Sequence, residues 1–383
     1  MPQRGILAVG EQLRMQETDP ETLIAADSRD EKRWAKLVEE SSGPDVYYRP
    51  EYAQATAEIE ETEPIALIGG APDCQILAPL LVRRASAVVR DSSVEWLDAS
   101  TPYGYGGLLN LSDSVHAKTF DYFLEQLSTW CANRRIVCCV IRLHPLTAQQ
   151  NWFDQEKGCG DRLQIHSRGS TNSIKLSEWN DRLDQPISLR RDRRADMRLA
   201  DRMLHVTWGT GADSDAESKL GIFTTLYNRL IERNGADSFY RFPQQYFRKL
   251  AKLGKGLGIA LAWYGEEPVG GNLFLAGPRY AHGHLAATND LGRKYGASTF
   301  LIVEGARWAR RRGCELLHLG GGMKPGDSLE DYKRSFGGLS HVYHYLTFVA
   351  DRKQFNEICE LPTPSWPYNL HDSTSLPSNR RKA

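Results

Sequence analysis

The order of elements over residues 258–349 constrains the fold more than any other feature of the chain. GIALAWYGEEPVGGNLFLAGPRYAHGHLAAT reads as three strands joined by tight turns at Gly265-Glu266 and Ala276-Gly277. GASTFLIVEGARWARRRGC carries helical periodicity and ELLHLGGG returns to a strand. The helix SLEDYKRSF and the strand HVYHYLTFV complete the run. Two strands that pair across one helix require a right-handed crossover and a partly parallel sheet.

A similar order occurs earlier. VEWLDASTPYGYGGLL is a strand leading into a loop rich in glycine and tyrosine. HAKTFDYFLEQLSTWCANRR is a helix with Phe120, Phe123, Leu124 and Leu127 on one face, and IVCCVIRLHPL is a continuously apolar strand stopped by proline. Each half opens on helices. In the first, EKRWAKLVEES aligns Trp34, Leu37 and Val38 ahead of the strands PIALIGG and QILAPLLVRRASAVV. In the second, a charged helix over about 188–203 leads into the strand MLHVTWGT, a long helix over about 214–233 and the helix PQQYFRKLAKLG. The predicted class is α+β (α/β): two tandem modules, 21–175 and 176–360, packed around a shared cleft. Residues 1–20 are expected to be a tail, and 361–383, rich in proline and serine, a disordered one.

Hydrophobic residues make up 41% and charged residues 25%, enough apolar material for a core in each half. Forty-eight basic residues balance forty-eight acidic ones, so a polyanion would have to bind a local patch. No stretch approaches the length of about 18 apolar residues that a membrane span needs, and the first apolar run is too short for a signal peptide. A cytoplasmic protein is expected. The seven cysteines are odd in number and show no C-x-x-C spacing, which argues against a disulfide framework or a zinc site; Cys138 and Cys139 read as buried free thiols.

Several residues carry chemistry. Lys333 lies on a helix starting near Ser328, beside a face formed by Leu329, Tyr332 and Phe336, so it borders the apolar side. It is either an ammonium lining a cleft together with Tyr332 or a solvated lysine near a helix C-terminus. Gly320, Gly321 and Gly322 follow a buried strand, where they form a flexible exit or let an acceptor lie against the main chain. Arg142, with His144 two residues later, ends the first module's last strand and offers a fork for carboxylate or phosphate. Tyr103 and Tyr105 present phenols on a loop. His282 and His284 alternate on a strand. H-x-H can begin a metal site, but the spacing offers no third ligand, so no metal is expected and His284 is assigned to the substrate cleft. Arg190, Arg194, Arg198 and Arg202 recur every fourth residue, forming a solvated salt-bridged face or a track for a nucleic-acid backbone. No G-x-S-x-G occurs, so no nucleophile elbow is expected.

YGASTFLIVEGARWARRRG, LLHLGGG, SLEDYKRSFGG, DASTPYGYGGLL and IRLHPL together resemble the FemABX-like branch of the GNAT acyltransferase superfamily, over most of residues 25–350. The resemblance implies two GNAT-like modules, with the acyl-transfer site in the second. It implies aminoacyl transfer from aminoacyl-tRNA to an amine of a peptide, peptidoglycan precursor or peptide-like metabolite. Lys333 falls in its F/Y-K-x-x-F element and Arg241 where a basic residue faces acceptor phosphates. CoA-binding GNAT proteins carry R/Q-x-x-G-x-G/A where a loop enters the long helix. Here RKYGAS ends in Ser298, which weakens the case for a CoA pyrophosphate grip, and no cofactor is expected. The alternative is an acyl-CoA-dependent N-acyltransferase with acyl-CoA as co-substrate. A third reading is a non-catalytic binding protein on the same duplicated fold.

Overall fold

The computed structural model describes residues 20–359 apart from 61, 72, 85–95, 113–116, 153–161 and 237. The expected tails, but for Pro20, and Cys159 lie outside the described residues. The first half contains β1 (Glu21–Ile24), α1 (Ser28–Glu40), α2 (Pro50–Glu60), β2 (Glu63–Ala71), β3 (Cys74–Arg84), β4 (Leu97–Ser100), β5 (Leu109–Asn110), α3 (Ala117–Arg134) and β6 (Ile136–Arg142). After β7 (Leu163–Lys175) and the short pair β8 (Trp179–Asn180) and β9 (Gln185–Pro186) come α4 (Arg191–Met203), β10 (His205–Thr210), α5 (Ala216–Asn234) and α6 (Gln244–Leu250). The chain continues through β11 (Leu257–Tyr264), β12 (Glu267–Ala276), β13 (Tyr280–Thr288), α7 (Asp290–Lys294), α8 (Ala297–Arg311), β14 (Leu316–Gly321), α9 (Ser328–Arg334), β15 (Leu339–Val349) and α10 (Arg352–Cys359).

Among the described residues, one sheet joins both halves in the order β1-β2-β3-β4-β6-β15-β7-β14-β13-β12-β11-β10, with β5 against β3. Two neighbouring pairs are parallel, β4 with β6 and β13 with β14, and each is joined across one long helix, α3 and α8 respectively. At the centre the halves interleave. β7, which precedes the second run of helices, pairs with β14 and β15, while β15 also pairs with β6. The composition of β7, LQIHSRGSTNSIK, gives no apolar alternation, and the sequence reading assigned it no strand. Ladder bonds on both of its edges hold it instead, because an inserted strand satisfies its own and its neighbours' backbone groups.

Apolar faces fix the layers. α8 sets Phe300, Leu301 and Val303 against Ala260, Phe274 and Ala281. Gly305 permits this approach: a Cβ there would sit 2.2 Å from the Phe274 ring. On the opposite face, α5 and α6 pack Phe223, Phe247 and Leu250 over Leu261, Leu273 and Leu285, joined by Tyr52 and Ala55 of α2. In the first half α3 buries Phe120, Phe123 and Leu127 in one core, and α1 buries Trp34 and Val38 in another. α1 starts where it does because the Asp27 carboxylate accepts the N–H groups of Arg29 and Asp30 at 2.8 and 3.0 Å. Cys138 and Cys139 are buried, as are Cys74, Cys131 and Cys314. No helix of the described residues is long and apolar enough to cross a membrane.

Candidate active site

The parallel pairing of β13 and β14 stops early. Tyr280, Ala281 and His282 pair with Leu316, Leu317 and His318, and beyond them the ladder ends. Irregularities flank the gap. On β13, Gly283 and His284 occupy the step between Phe274 and Leu273 of β12, one residue more than the partner strand. On β14, the register against β7 slips between His318 and Gly320. A cavity of about 280 Å³ opens here. The first half contributes Tyr103, Tyr105 and Arg142, the central strands Arg168, Ser170 and Tyr343, and the second half His284, Gly320 to Gly322 and Lys333. The shared cleft expected from the sequence is therefore present between the halves.

Local hydrogen bonding sets the position of Lys333. Asp327 caps α9 by accepting the Glu330 N–H at 2.8 Å, and its other carboxylate oxygen accepts the Met323 and Lys324 N–H groups at 2.6 and 3.0 Å. Glu330 is buried and accepts from the Ser170 hydroxyl, the Gly326 N–H and Arg334 at 2.6, 2.7 and 2.6 Å. These bonds fix the rotation of α9 so that Leu329, Glu330 and Lys333 line the cavity. The Lys333 ammonium donates to the Gly321 carbonyl at 2.6 Å. Burial lowers its pKa from 10.5 to about 8, so near neutral pH it is a poorly hydrated cation. Gly320 has φ +74°, and a Cβ there would lie 2.8 Å from the Tyr105 hydroxyl and 3.4 Å from Lys333 Nζ. Any larger residue would push phenol and ammonium apart.

Among the described residues, four cationic side chains line the cavity, Arg142, Arg168, Lys324 and Lys333, against one carboxylate, Glu330, whose oxygens are already engaged. Arg142 is oriented by donation to the Thr101 carbonyl at 2.8 Å. A cavity of this charge favours an anionic group or one that becomes anionic during reaction.

Three expected cleft residues sit elsewhere. Tyr332 faces the core, edge-on to Phe336 and under the Arg193 guanidinium, because the anchoring of α9 through Glu330 turns the opposite side to the cavity. His144 is fully buried and its Nε2 bonds Asp45 at 2.9 Å. Arg241 is exposed and does not line the cavity, although Phe239 and Tyr240 do. In the arginine run, Arg190 is held by Asp192 and Asp331, and Arg194 donates to the Ile187 carbonyl at 3.1 Å. Arg198 and Arg202 are exposed.

Beneath the cavity lies a cluster that the spacing of H-x-H did not reveal. Asp45 approaches His144 and His282 at 2.9 and 3.0 Å, and His282 approaches His318 at 3.4 Å. Asp45, His144 and His282 offer ligand atoms within 4.8 Å of one another, so partners for His282 exist after all. The hydrogen bonds assign them another role. The Leu146 N–H donates to His144 Nδ1 at 3.2 Å, so the proton of the neutral ring resides on Nε2, which donates to Asp45 and has no lone pair for a metal. Burial lowers the pKa of His144 and of His318, and the two histidines beside it hold the Asp45 carboxyl well below the usual range despite its burial. The cluster ties residue 45 of the first half to β13 and β14 of the second.

Residues 188–334 match the family model described as an acetyltransferase (GNAT) domain. The chain carries a GNAT acyltransferase domain. The cavity's Lys333, His284 and glycine run all belong to it, while Tyr103, Tyr105 and Arg142 come from outside it. Solved structures are similar to the chain over both halves. FemX is similar at 13% identity with a TM-score of 0.61, covering 86% of this chain and 98% of that one. L-PGS from Bacillus licheniformis is similar at 11% identity with a TM-score of 0.53, covering 87% and 95%. A conserved protein of unknown function from Bacteroides thetaiotaomicron VPI-5482 is similar at 11% identity with a TM-score of 0.55, covering 84% and 97%. No curated protein matches the chain by sequence. The GNAT acyltransferase domain thus sits within a fold similar to that of FemX, whose first half closes the cavity.

Proposed function

We propose that this GNAT protein is an aminoacyltransferase. It moves an aminoacyl group from aminoacyl-tRNA to an amine of a peptide, peptidoglycan precursor or peptide-like metabolite, forming an amide. The observation that carries the reading is the desolvated Lys333 ammonium, held at 2.6 Å from the Gly321 carbonyl in a cationic cavity built by both halves. An ester donor is already activated, so the site must mainly orient the partners and hold the tetrahedral oxyanion. Orientation contributes about 7–11 kcal/mol and one oxyanion donor about 2.7–4 kcal/mol. Lys333 supplies that donor. Arg142 and Arg168 bind acidic groups of the acceptor, and Tyr103 and Tyr105 pack against it.

Two features favour tRNA over acyl-CoA as donor. The start of α8, where a CoA pyrophosphate would seek backbone N–H groups, is covered by α4. A Cβ on Gly296 would lie 3.0 Å from the Asp196 carbonyl, and the Asp196 carboxylate accepts from the Thr299 hydroxyl at 3.1 Å. Arg193 pairs with the same carboxylate at 2.9 Å, so protein groups already occupy that helix start. The arginine run of α4 also begins beside the helix that carries Lys333, through the Arg190–Asp331 ion pair at 3.3 Å. Exposed Arg198 and Arg202 then extend the basic surface away from the site for a nucleic-acid backbone. The deciding experiment incubates the protein with an amine pool and either charged tRNA or acyl-CoA. Nuclease-sensitive amide formation is expected; release of free thiol from acyl-CoA with no tRNA requirement would overturn the donor assignment.

A further inference from the structure

His284 is the extra residue where β13 breaks register, and it lines the cavity. Its Nε2 is bonded to the hydroxyl of Tyr246, a fully buried residue on α6. Among the described residues the Tyr246 hydroxyl has no other hydrogen-bond partner. A buried hydroxyl that cannot donate costs about 1–3 kcal/mol, so the phenol gives its proton to the imidazole. Nε2 is then the acceptor, and in the neutral ring Nδ1 carries the hydrogen. Among the described residues Nδ1 has no hydrogen-bond partner and is not one of the buried orphaned atoms, so it opens to the cavity.

The surroundings keep the ring neutral. The Tyr52 and Tyr103 rings meet His284 edge-on and His282 adjoins it on the same strand. Burial and His282 push His284 from 6.5 to about 3.

We infer that His284 is a neutral hydrogen-bond donor to the carbonyl oxygen of the transferred acyl group, acting with Lys333, and that Tyr246 is the positioning residue that fixes its tautomer. The inference rests on the acyl-transfer reading of the same cavity. It excludes the obvious role for a cleft histidine: a nitrogen that already holds its proton takes none from the attacking amine. A donor of this kind bonds a carbonyl oxygen weakly and an oxyanion strongly, so it stabilises the transition state more than the bound ester. Lys333 and His284 come from different elements, α9 and β13, and both line the cavity in which the oxygen would sit.

The test begins on the free protein. Long-range ¹H–¹⁵N spectra of the imidazoles report which nitrogen is protonated, and the His284 signal is the one missing from H284N. A neutral ring protonated on Nδ1 down to pH 5 is expected. The opposite tautomer, or protonation near pH 6.5, overturns the inference whatever the substrate proves to be. In turnover, His284→Ala is expected to lower kcat about 100-fold with KM nearly unchanged. H284N, which can place an amide N–H near the Nδ1 position, should recover to within about tenfold of wild type. Tyr246→Phe frees the tautomer and should lower kcat about tenfold. A base role instead gives an H284A variant rescued at high pH and an H284N variant as inactive as H284A, and either result sinks the donor assignment. Absence of transferase activity in the wild type, with the tautomer as expected, counts against the acyl-transfer reading rather than against the tautomer.

Discussion

Lys333→Met separates what the ammonium does for chemistry from what it does to stability. Methionine keeps most of the apolar stem and removes the charge. Losing one oxyanion donor of about 2.7–4 kcal/mol lowers kcat by about 10²–10³, with KM changed little if the ammonium acts mainly on the transition state. Stability should move the other way. The lysine is held near 8 against 10.5 in the unfolded chain, and that gap, 10.5 − 8 = 2.5, corresponds to about 3 kcal/mol of unfavourable burial of the charged form. Loss of the bond to the Gly321 carbonyl offsets about 1 kcal/mol, leaving the variant about 2 kcal/mol more stable at pH 7. The pH dependence follows from the same lowered pKa. Between pH 8 and 10.5 the unfolded chain binds a proton that the folded chain has lost, so wild-type stability rises across that window, and the variant's does not. Urea midpoints at pH 7 and 9.5 give the stability, and single-turnover rates give the chemistry. The wild-type rate should also decline as pH rises through about 8, where the ammonium is lost. A variant with full turnover, or one that is slower and also less stable at pH 7, refutes the reasoning.

Asp45→Asn replaces a carboxylate that accepts from His144 and His282 with an amide whose NH₂ confronts an imidazole N–H. A loss of about 2–4 kcal/mol is expected in urea, read as a lower midpoint at unchanged slope. Acid should destabilise the protein well before ordinary carboxylates titrate. Burial lowers His144, His284 and His318 below 6.5, so below that pH the unfolded chain binds protons that the folded chain does not, and each histidine removes at most about 1.4 kcal/mol per pH unit, and only where it stays neutral in the folded chain. Equal urea midpoints at pH 7.5 and 5.5 would contradict this. Arg198→Ala and Arg202→Ala should each weaken tRNA binding and reduce the slope of log K against log salt by about 1, with turnover on saturating tRNA preserved. Unchanged slopes would remove α4 from the nucleic-acid surface.

What was legible in the sequence, and what was not, follows from the range over which each signal acts. Helices α3, α5 and α8 were readable because a periodic apolar stripe is a local property, and the paired strands β13 and β14 because a helix between two apolar runs leaves few alternatives. The strand β7 was not, since its bonds come from β14 and β15, elements more than 140 residues away, and its own side chains carry no pattern. The site divides along the same line. Arg142 and the glycine run stand at strand ends, and Lys333 on the last turn of a short helix, all within stretches that motifs mark. Asp45 could not be linked to His282 by any spacing rule, because 237 residues separate them. His284 shows the limit most clearly. Strict alternation puts it on the same face as His282, but the irregularity between Leu273 and Phe274 puts Leu285, not His284, in phase with His282 across β12. That one-residue slip gives the two histidines different environments: His282 binds a buried carboxylate, while His284 lines the cavity with its Nε2 held by the Tyr246 phenol. The fold is written in periodicity, whereas the chemistry at this gap depends on where the periodicity breaks.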